Sequence, residues 1–282
     1  SIMFVLHKGV LWMLIATFFF ALMGTFVKLG GENFTTTELV FYRSSISLVF
    51  IIAIMKWNNV TYSSRYIKLH LTRSVIGFIS LLFFFYAINH LPLSTAISLN
   101  YTSPLFLGLL MPLILKRKVK KWLFLAVSIG FVGVFFILKP TFENHNYFAG
   151  LIGLISGLGA AMAYLFVTQL GQLKEPVLRT IFYFTLISTI CSGTMMLFGE
   201  ASTIQFKYIL ILLALGASAT IAQIAITKAY HVGNTLGNAG LSYLTVIFAT
   251  IIGVIWFDEF MNWKTTLGIL LIIISGIFAS KK

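Results

Sequence analysis

Between Ile97 and Phe106 an apolar run long enough to cross a bilayer is interrupted by Ser98, Asn100, Tyr101, Thr102 and Ser103, followed by Pro104. Polar groups carried into hydrocarbon are costly, so they face a bundle interior or a water-filled path. A belt of hydroxyls around one carboxamide can donate and accept hydrogen bonds toward a small polar solute. Pro104 predicts a helix kink, because it has no N–H to give to the carbonyl of Asn100 four residues back. A weaker copy of the stretch runs from Ala239 to Phe248. There Leu241, Tyr243 and Phe248 fall on Leu99, Tyr101 and Phe106, while Ser242 falls on Asn100 and Thr245 on Ser103. Because Pro104 meets Val246, the first copy is expected to be the more sharply kinked.

Three further positions could bind a solute. Arg43 lies about two turns into a predicted helix. It either snorkels toward the surface or faces a cavity, where a guanidinium would attract a carboxylate or phosphate. Gln223 shares a helix face with Thr220 and Thr227, a spacing that suits interhelical hydrogen bonding or ligand contact. Tyr164 could present its hydroxyl to a cavity or to an interface. The candidate substrate-binding residues are therefore Arg43, Ser98, Asn100, Tyr101, Thr102, Tyr164, Gln223, Ser242 and Tyr243.

Other chemistry is absent from the pattern. The five histidines have no zinc spacing, and no Gly-Lys-Ser/Thr loop is present to cradle phosphates. Ser218, in a small-residue stretch, has no histidine in a later span to act as base, so helix packing explains it better than catalysis. No catalytic residue, metal or cofactor is expected. The seven acids fall in loops or near helix ends, so a deep carboxylate proton carrier is missing.

The elements that must position these residues are membrane helices. The chain is 59% hydrophobic and 10% charged over 282 residues, with a mean hydropathy of +0.98. Its apolar residues form continuous runs rather than alternating, which excludes an outer-membrane barrel. Runs of about 20 apolar residues predict ten spans near 9–29, 37–56, 68–88, 92–115, 121–138, 147–169, 178–198, 207–229, 234–257 and 264–280. The phenylalanine runs 18–20 and 83–85 read as lipid-facing and packing surface.

A net charge of +13 reads as positive-inside bias rather than as affinity for nucleic acid. With both termini cytoplasmic, Lys56, Arg65, Lys68, Arg73, the cluster Lys116, Arg117, Lys118, Lys120 and Lys121, then Lys174, Arg179, Lys228, Lys281 and Lys282 share one side with Lys8. Only Lys28, Lys139, Lys207 and Lys264 fall on the other.

Gly9–Gly30 overlays Gly150–Gly171 without a gap, and Tyr86–Leu115 overlays Lys228–Phe257. Helices one to five thus echo helices six to ten, as two repeats over residues 1–140 and 147–282 joined by a linker at 139–146. An odd number of spans per repeat inverts the second copy, an architecture that places substrate sites near the midplane between halves. The expected fold class is an all-α polytopic membrane protein with ten transmembrane helices in two inverted five-helix repeats.

The wording of several segments resembles the drug/metabolite transporter superfamily, and within it the EamA-domain members. The residues concerned are Leu91-Pro92-Leu93-Ser94-Thr95-Ala96, Tyr101-Thr102-Ser103-Pro104-Leu105-Phe106 and the pair Gly130 and Gly133. In the second half they are Phe257-Asp258-Glu259, Gly268 and Gly276. One departure is that Lys116-Arg117 stands where the family usually closes helix four with Gly-Glu, while Glu259 is retained in the second half. The resemblance implies secondary transport of small organic solutes across the inner membrane, with amino acids or related metabolites as the principal expectation. A cofactor or nucleotide-like metabolite, imported or exchanged, is the alternative, as is a channel-like facilitator. The expected partners are a small-molecule substrate and the lipid bilayer, with the protein a monomer or a homodimer.

Overall fold

The computed structural model describes residues 2–116, 121–232 and 235–280. Arg117, Lys118, Lys120, Lys281 and Lys282, which the charge-bias argument uses, lie outside the described residues. Among those described there is no strand, and the helices are α1 (Ile2–Gly30), α2 (Thr36–Trp57), α3 (Ile67–His90), α4 (Leu93–Asn100), α5 (Ser103–Leu115), α6 (Lys121–Glu143), α7 (Tyr147–Gln172), α8 (Val177–Met196), α9 (Phe206–His231), α10 (Thr235–Leu241), α11 (Leu244–Trp256) and α12 (Trp263–Ser280). Among the described residues eight stretches are long and apolar enough to cross a membrane, and Leu125–Leu138 and Trp263–Phe278 are shorter apolar helices.

Local chemistry sets the helix ends. Thr35 starts α2 with a capping box, its hydroxyl accepting from Glu38 N while Thr35 N donates to Glu38 Oε1. Pro92 precedes α4 at its cap position. Two non-glycine residues, Lys116 after α5 and Asp258 after α11, turn the chain with φ of 51° and 48°. They occupy equivalent places in the two sequence copies. The expected linker shortens, because α6 runs through Glu143.

The single helix expected over 92–115 is two. The chain breaks at Tyr101 and Thr102, and Pro104 lies in the first turn of α5 rather than inside a continuous helix. There its missing N–H costs nothing. The span expected over 234–257 is broken too, at Ser242 and Tyr243, with no proline nearby. A proline is therefore not required for the interruption.

Packing joins distant parts of the chain. α1 lies along α9, α3 along α7, α2 along α8 and α6 along α12, with further contacts of α2 on α9 and α3 on α8. Glycines permit the closest approaches. At Gly157 a Cβ would stand 2.8 Å from Leu99 O and 2.9 Å from Asn100 O, so only a glycine lets α7 press against the broken helix. At Gly133 it would stand 2.7 Å from Gly268 O, which makes the α6–α12 contact equally close.

Candidate functional site

A cavity opens where the α4–α5 break meets α1, α2, α3, α7, α8 and α9. Of the residues expected to bind solute, Arg43, Asn100, Tyr101, Tyr164 and Gln223 line it together. Arg43 faces inward: it is 1% exposed, and its Nη2 donates to Gln223 Oε1 at 3.1 Å. Gln223 thus serves both an interhelical bond and the cavity wall.

Asn100 is held from below by a ladder of hydroxyls. Its Nδ2 donates to Ser156 Oγ at 3.0 Å, and Ser80 Oγ donates to Ser156 O at 2.8 Å. The ladder ties α4 to α7 and α3, which fixes the depth at which the break presents its side chains. Tyr164 stacks flat on Tyr230, with ring centroids 4.7 Å apart and planes 7° from parallel, so its ring is immobilised while it lines the cavity.

The other four candidates are not among the lining residues. Ser98 Oγ donates to Ser94 O, Thr102 Oγ1 to Leu99 O and Ser242 Oγ to Ala239 O, each spending its hydroxyl proton on its own turn. Tyr243 is packed against Gly276 of α12, and its buried hydroxyl has no partner among the described residues.

Sequence reasoning missed Arg73. Its place near the start of a span put it with the cytoplasmic flank; instead it is 3% exposed and lines the cavity. Gly77, one turn on, leaves the space its guanidinium fills. Phe184 of α8 completes this wall, with the Arg73 Cζ 4.0 Å and the Arg43 Cζ 5.2 Å from its ring centroid. Phe20 and Phe84, expected on lipid-facing or packing surfaces, also line the cavity. One signal for Arg73 was available: four residues separate it from Gly77, the spacing of neighbours on one helix face.

Beyond the cavity, polar ties close both ends of α3. At its start, Glu175 between α7 and α8 lies 2.8 Å from His70 Nε2, accepts from Ser64 Oγ at 2.9 Å and takes both carboxylate bonds of Arg179. Burial alone would raise the Glu175 carboxyl; the hydrogen bonds from His70, Ser64 and Arg179 outweigh it and hold the group below its usual range. Past the other end of α3, Glu259 Oε1 accepts from Leu93 N at 2.6 Å and pairs with Lys28 Nζ at 3.6 Å, and that lysine also donates to Leu91 O. Glu259 thereby caps α4 from a distant part of the chain.

Among the described residues no group of His, Cys, Asp and Glu could hold a metal ion. A polar cavity at a broken span of a many-helix membrane protein is an arrangement in which solute transporters hold their substrates, and comparison with known proteins points to that class. The chain matches the EamA-like transporter family over residues 7–139. It is 30% identical to an uncharacterized transporter of Helicobacter pylori over 95% of this chain and 93% of that one. It is 27% identical to the pseudopaline exporter CntI of Pseudomonas aeruginosa, over 98% and 97% of the two chains. With the S-adenosylmethionine uptake transporter of Rickettsia prowazekii the figures are 23% identity over 96% and 92%. A crystal structure of another protein superposes with a TM-score of 0.71 over 99% of this chain and 98% of that one, at 16% identity, a likeness of fold. The chain belongs to the EamA-like transporter family and is a multi-pass membrane protein.

Proposed function

We propose that the protein is a secondary transporter of small organic solutes, amino acids or related metabolites, across the inner membrane, with both termini cytoplasmic. Substrate binds in the cavity at the α4–α5 break, and access alternates between the two sides as the halves 1–140 and 147–282 rock against each other. The observation that carries the reading is the composition of the cavity wall. α1, α2, α3 and α4 supply one part of it, and α7, α8 and α9 the rest, so relative motion of the halves would remake the site's access.

Two further observations support the inverted repeat. The packing pattern maps onto itself when the first five predicted spans are exchanged with the last five: α1 on α9 becomes α7 on α3, and α2 on α9 becomes α8 on α3. Both fourth members, α4–α5 and α10–α11, break within one residue of the same register. The polar ties at Glu175 and at Glu259 favour alternating access over a channel, because a carrier must release such ties in turn and an open pore has no use for them.

The relatives named above include an exporter and an uptake transporter, so flux is to be measured in both directions. Reconstituted in proteoliposomes, the protein should show saturable, substrate-selective counterflow that Asn100→Ala reduces. Flux rising linearly with solute concentration, or no selective flux across a broad metabolite panel, would overturn the proposal.

A further inference from the structure

Two guanidinium groups share one wall of the cavity, and no described carboxylate pairs with either. Arg43 and Arg73 both lie against the ring of Phe184, so their Cζ atoms are no farther apart than the sum of their distances to its centroid. Among the described residues Arg43 Nε and Nη1 have no hydrogen-bond partner, nor have those of Arg73. The acids that form close contacts do so elsewhere: Glu38 with Thr35 and Ser202, Glu175 with His70, Glu259 with Lys28.

Two like charges held close together and buried repel each other and forgo part of their hydration, and Phe184 and Gln223 answer only part of that cost. Such an arrangement is stable when an anion completes it. Resting on the transporter reading above, we infer that Arg43 and Arg73 form a paired-guanidinium site for a small organic dianion, the chemistry shared by dicarboxylates and phosphate monoesters.

Planar guanidinium forks match both groups in bidentate geometry. Phe184 lies against both guanidinium groups, and Gly77 provides the space in which the tip of Arg73 lies. The lining contains no carboxylate to receive an ammonium group. A dianion therefore suits the site better than a zwitterionic amino acid, which narrows the solute class expected from sequence.

The test is a thermal-shift titration of the purified, detergent-solubilised protein at constant ionic strength. The probes are succinate, glycerol 3-phosphate, butyrate, succinamide and sodium chloride. Succinate or glycerol 3-phosphate should raise the melting temperature saturably, with an apparent affinity about tenfold or more above that of butyrate; which of the two is tighter separates the dicarboxylate source from the phosphate one. Succinamide and chloride should leave it unchanged. Arg43→Gln and Arg73→Gln should each weaken binding about tenfold or more, Arg73→Lys should weaken it less, and Lys207→Gln should not alter it.

Without ligand, Arg73→Gln should melt at the parent temperature or above it, since one of two repelling charges is gone; a merely structural arginine would lower it. Should the glutamine variants not fold, Gly77→Ala keeps both charges and displaces the Arg73 tip, and it should weaken the dianion alone. Equal shifts with succinamide or chloride, undiminished shifts in the arginine variants, or no shift with either dianion would overturn the inference. Saturable flux of a neutral or zwitterionic solute, with no dianion binding, would sink this site and leave the transporter reading standing. Dianion binding without flux of any solute would do the reverse.

Discussion

The two broken spans are interrupted at nearly the same place in the two sequence copies and differ in chemistry. At the first, α7 presses Gly157 against the carbonyls of Leu99 and Asn100, and the break delivers Asn100 and Tyr101 to an open cavity. At the second, α12 presses Gly276 against the ring of Tyr243, and the break delivers its tyrosine into a packed interior. Interruption of a membrane helix is thus not itself a binding site. It becomes one where neighbouring helices leave space for the side chains that the break presents.

The comparison breaks first at its glycines, where the largest effects are expected. Gly157→Ala should destabilise the protein by roughly 1–3 kcal/mol or more, because beside the Thr102 hydroxyl two of the obstructing atoms are backbone carbonyls and the break itself would have to move. Gly276→Ala should cost less, since the Tyr243 ring can shift while the backbone stays. Melting temperatures of the two variants order them; a milder effect at Gly157 than at Gly276 would show that the first break is the more pliable.

At the residues that replace each other in the two copies, Asn100→Ala and Ser242→Ala should part company in transport. Asn100 holds Ser156 across α4 and α7, so its loss should cost about 0.5–1.5 kcal/mol of stability and reduce flux in proteoliposomes. Among the described residues the Ser242 hydroxyl bonds Ala239 O, three residues back; its alanine variant should lie within about 0.5 kcal/mol of the parent and transport normally. Equal flux defects in the two variants would mean that the second break also reaches solute.

Much of this contrast was legible in residue types and spacing. Apolar runs located the helices, and polar residues amid one run marked the break that meets the cavity. Arg43 and Gln223 stood out as isolated polar groups within spans. What could not be read was tertiary. Arg73 sits near a helix start, where charge ordinarily meets water, and its burial depends on Phe184 from α8 and on room left by Gly77. The hydroxyls of Ser98, Thr102 and Ser242 could serve solute or backbone, and local geometry gave them to the backbone. The second break carries no proline, so the rule that revealed the first had nothing to act on.

The two polar ties should differ in their response to acid. Glu175 is held below the usual carboxylate range, so its contribution is present above that range and lost as pH falls through the depressed value. His70, Arg179 and, farther off, His231 are the titratable groups around it. Acidification should therefore lower the melting temperature more in the parent than in Glu175→Gln, a difference on the order of 1 kcal/mol. Parallel melting curves against pH in the two proteins would remove Glu175 from the account of acid sensitivity.

The smallest expected effect tests the packed side of the contrast. The Tyr243 hydroxyl is buried, with the residue 2% exposed, and among the described residues it has no hydrogen-bond partner. A buried hydroxyl without a partner gains nothing from the protein and has given up water, so removing it relieves a desolvation cost and leaves the ring's packing against Gly276 in place. Tyr243→Phe should therefore match the parent within about 0.5 kcal/mol, on the stabilising side, and should not change flux. A clear loss of stability would mean that the hydroxyl is satisfied in the working protein. Loss of flux at unchanged stability would mean that the second broken span reaches solute in another conformation of the transport cycle, which would make the two breaks alternate partners rather than a site and a scaffold.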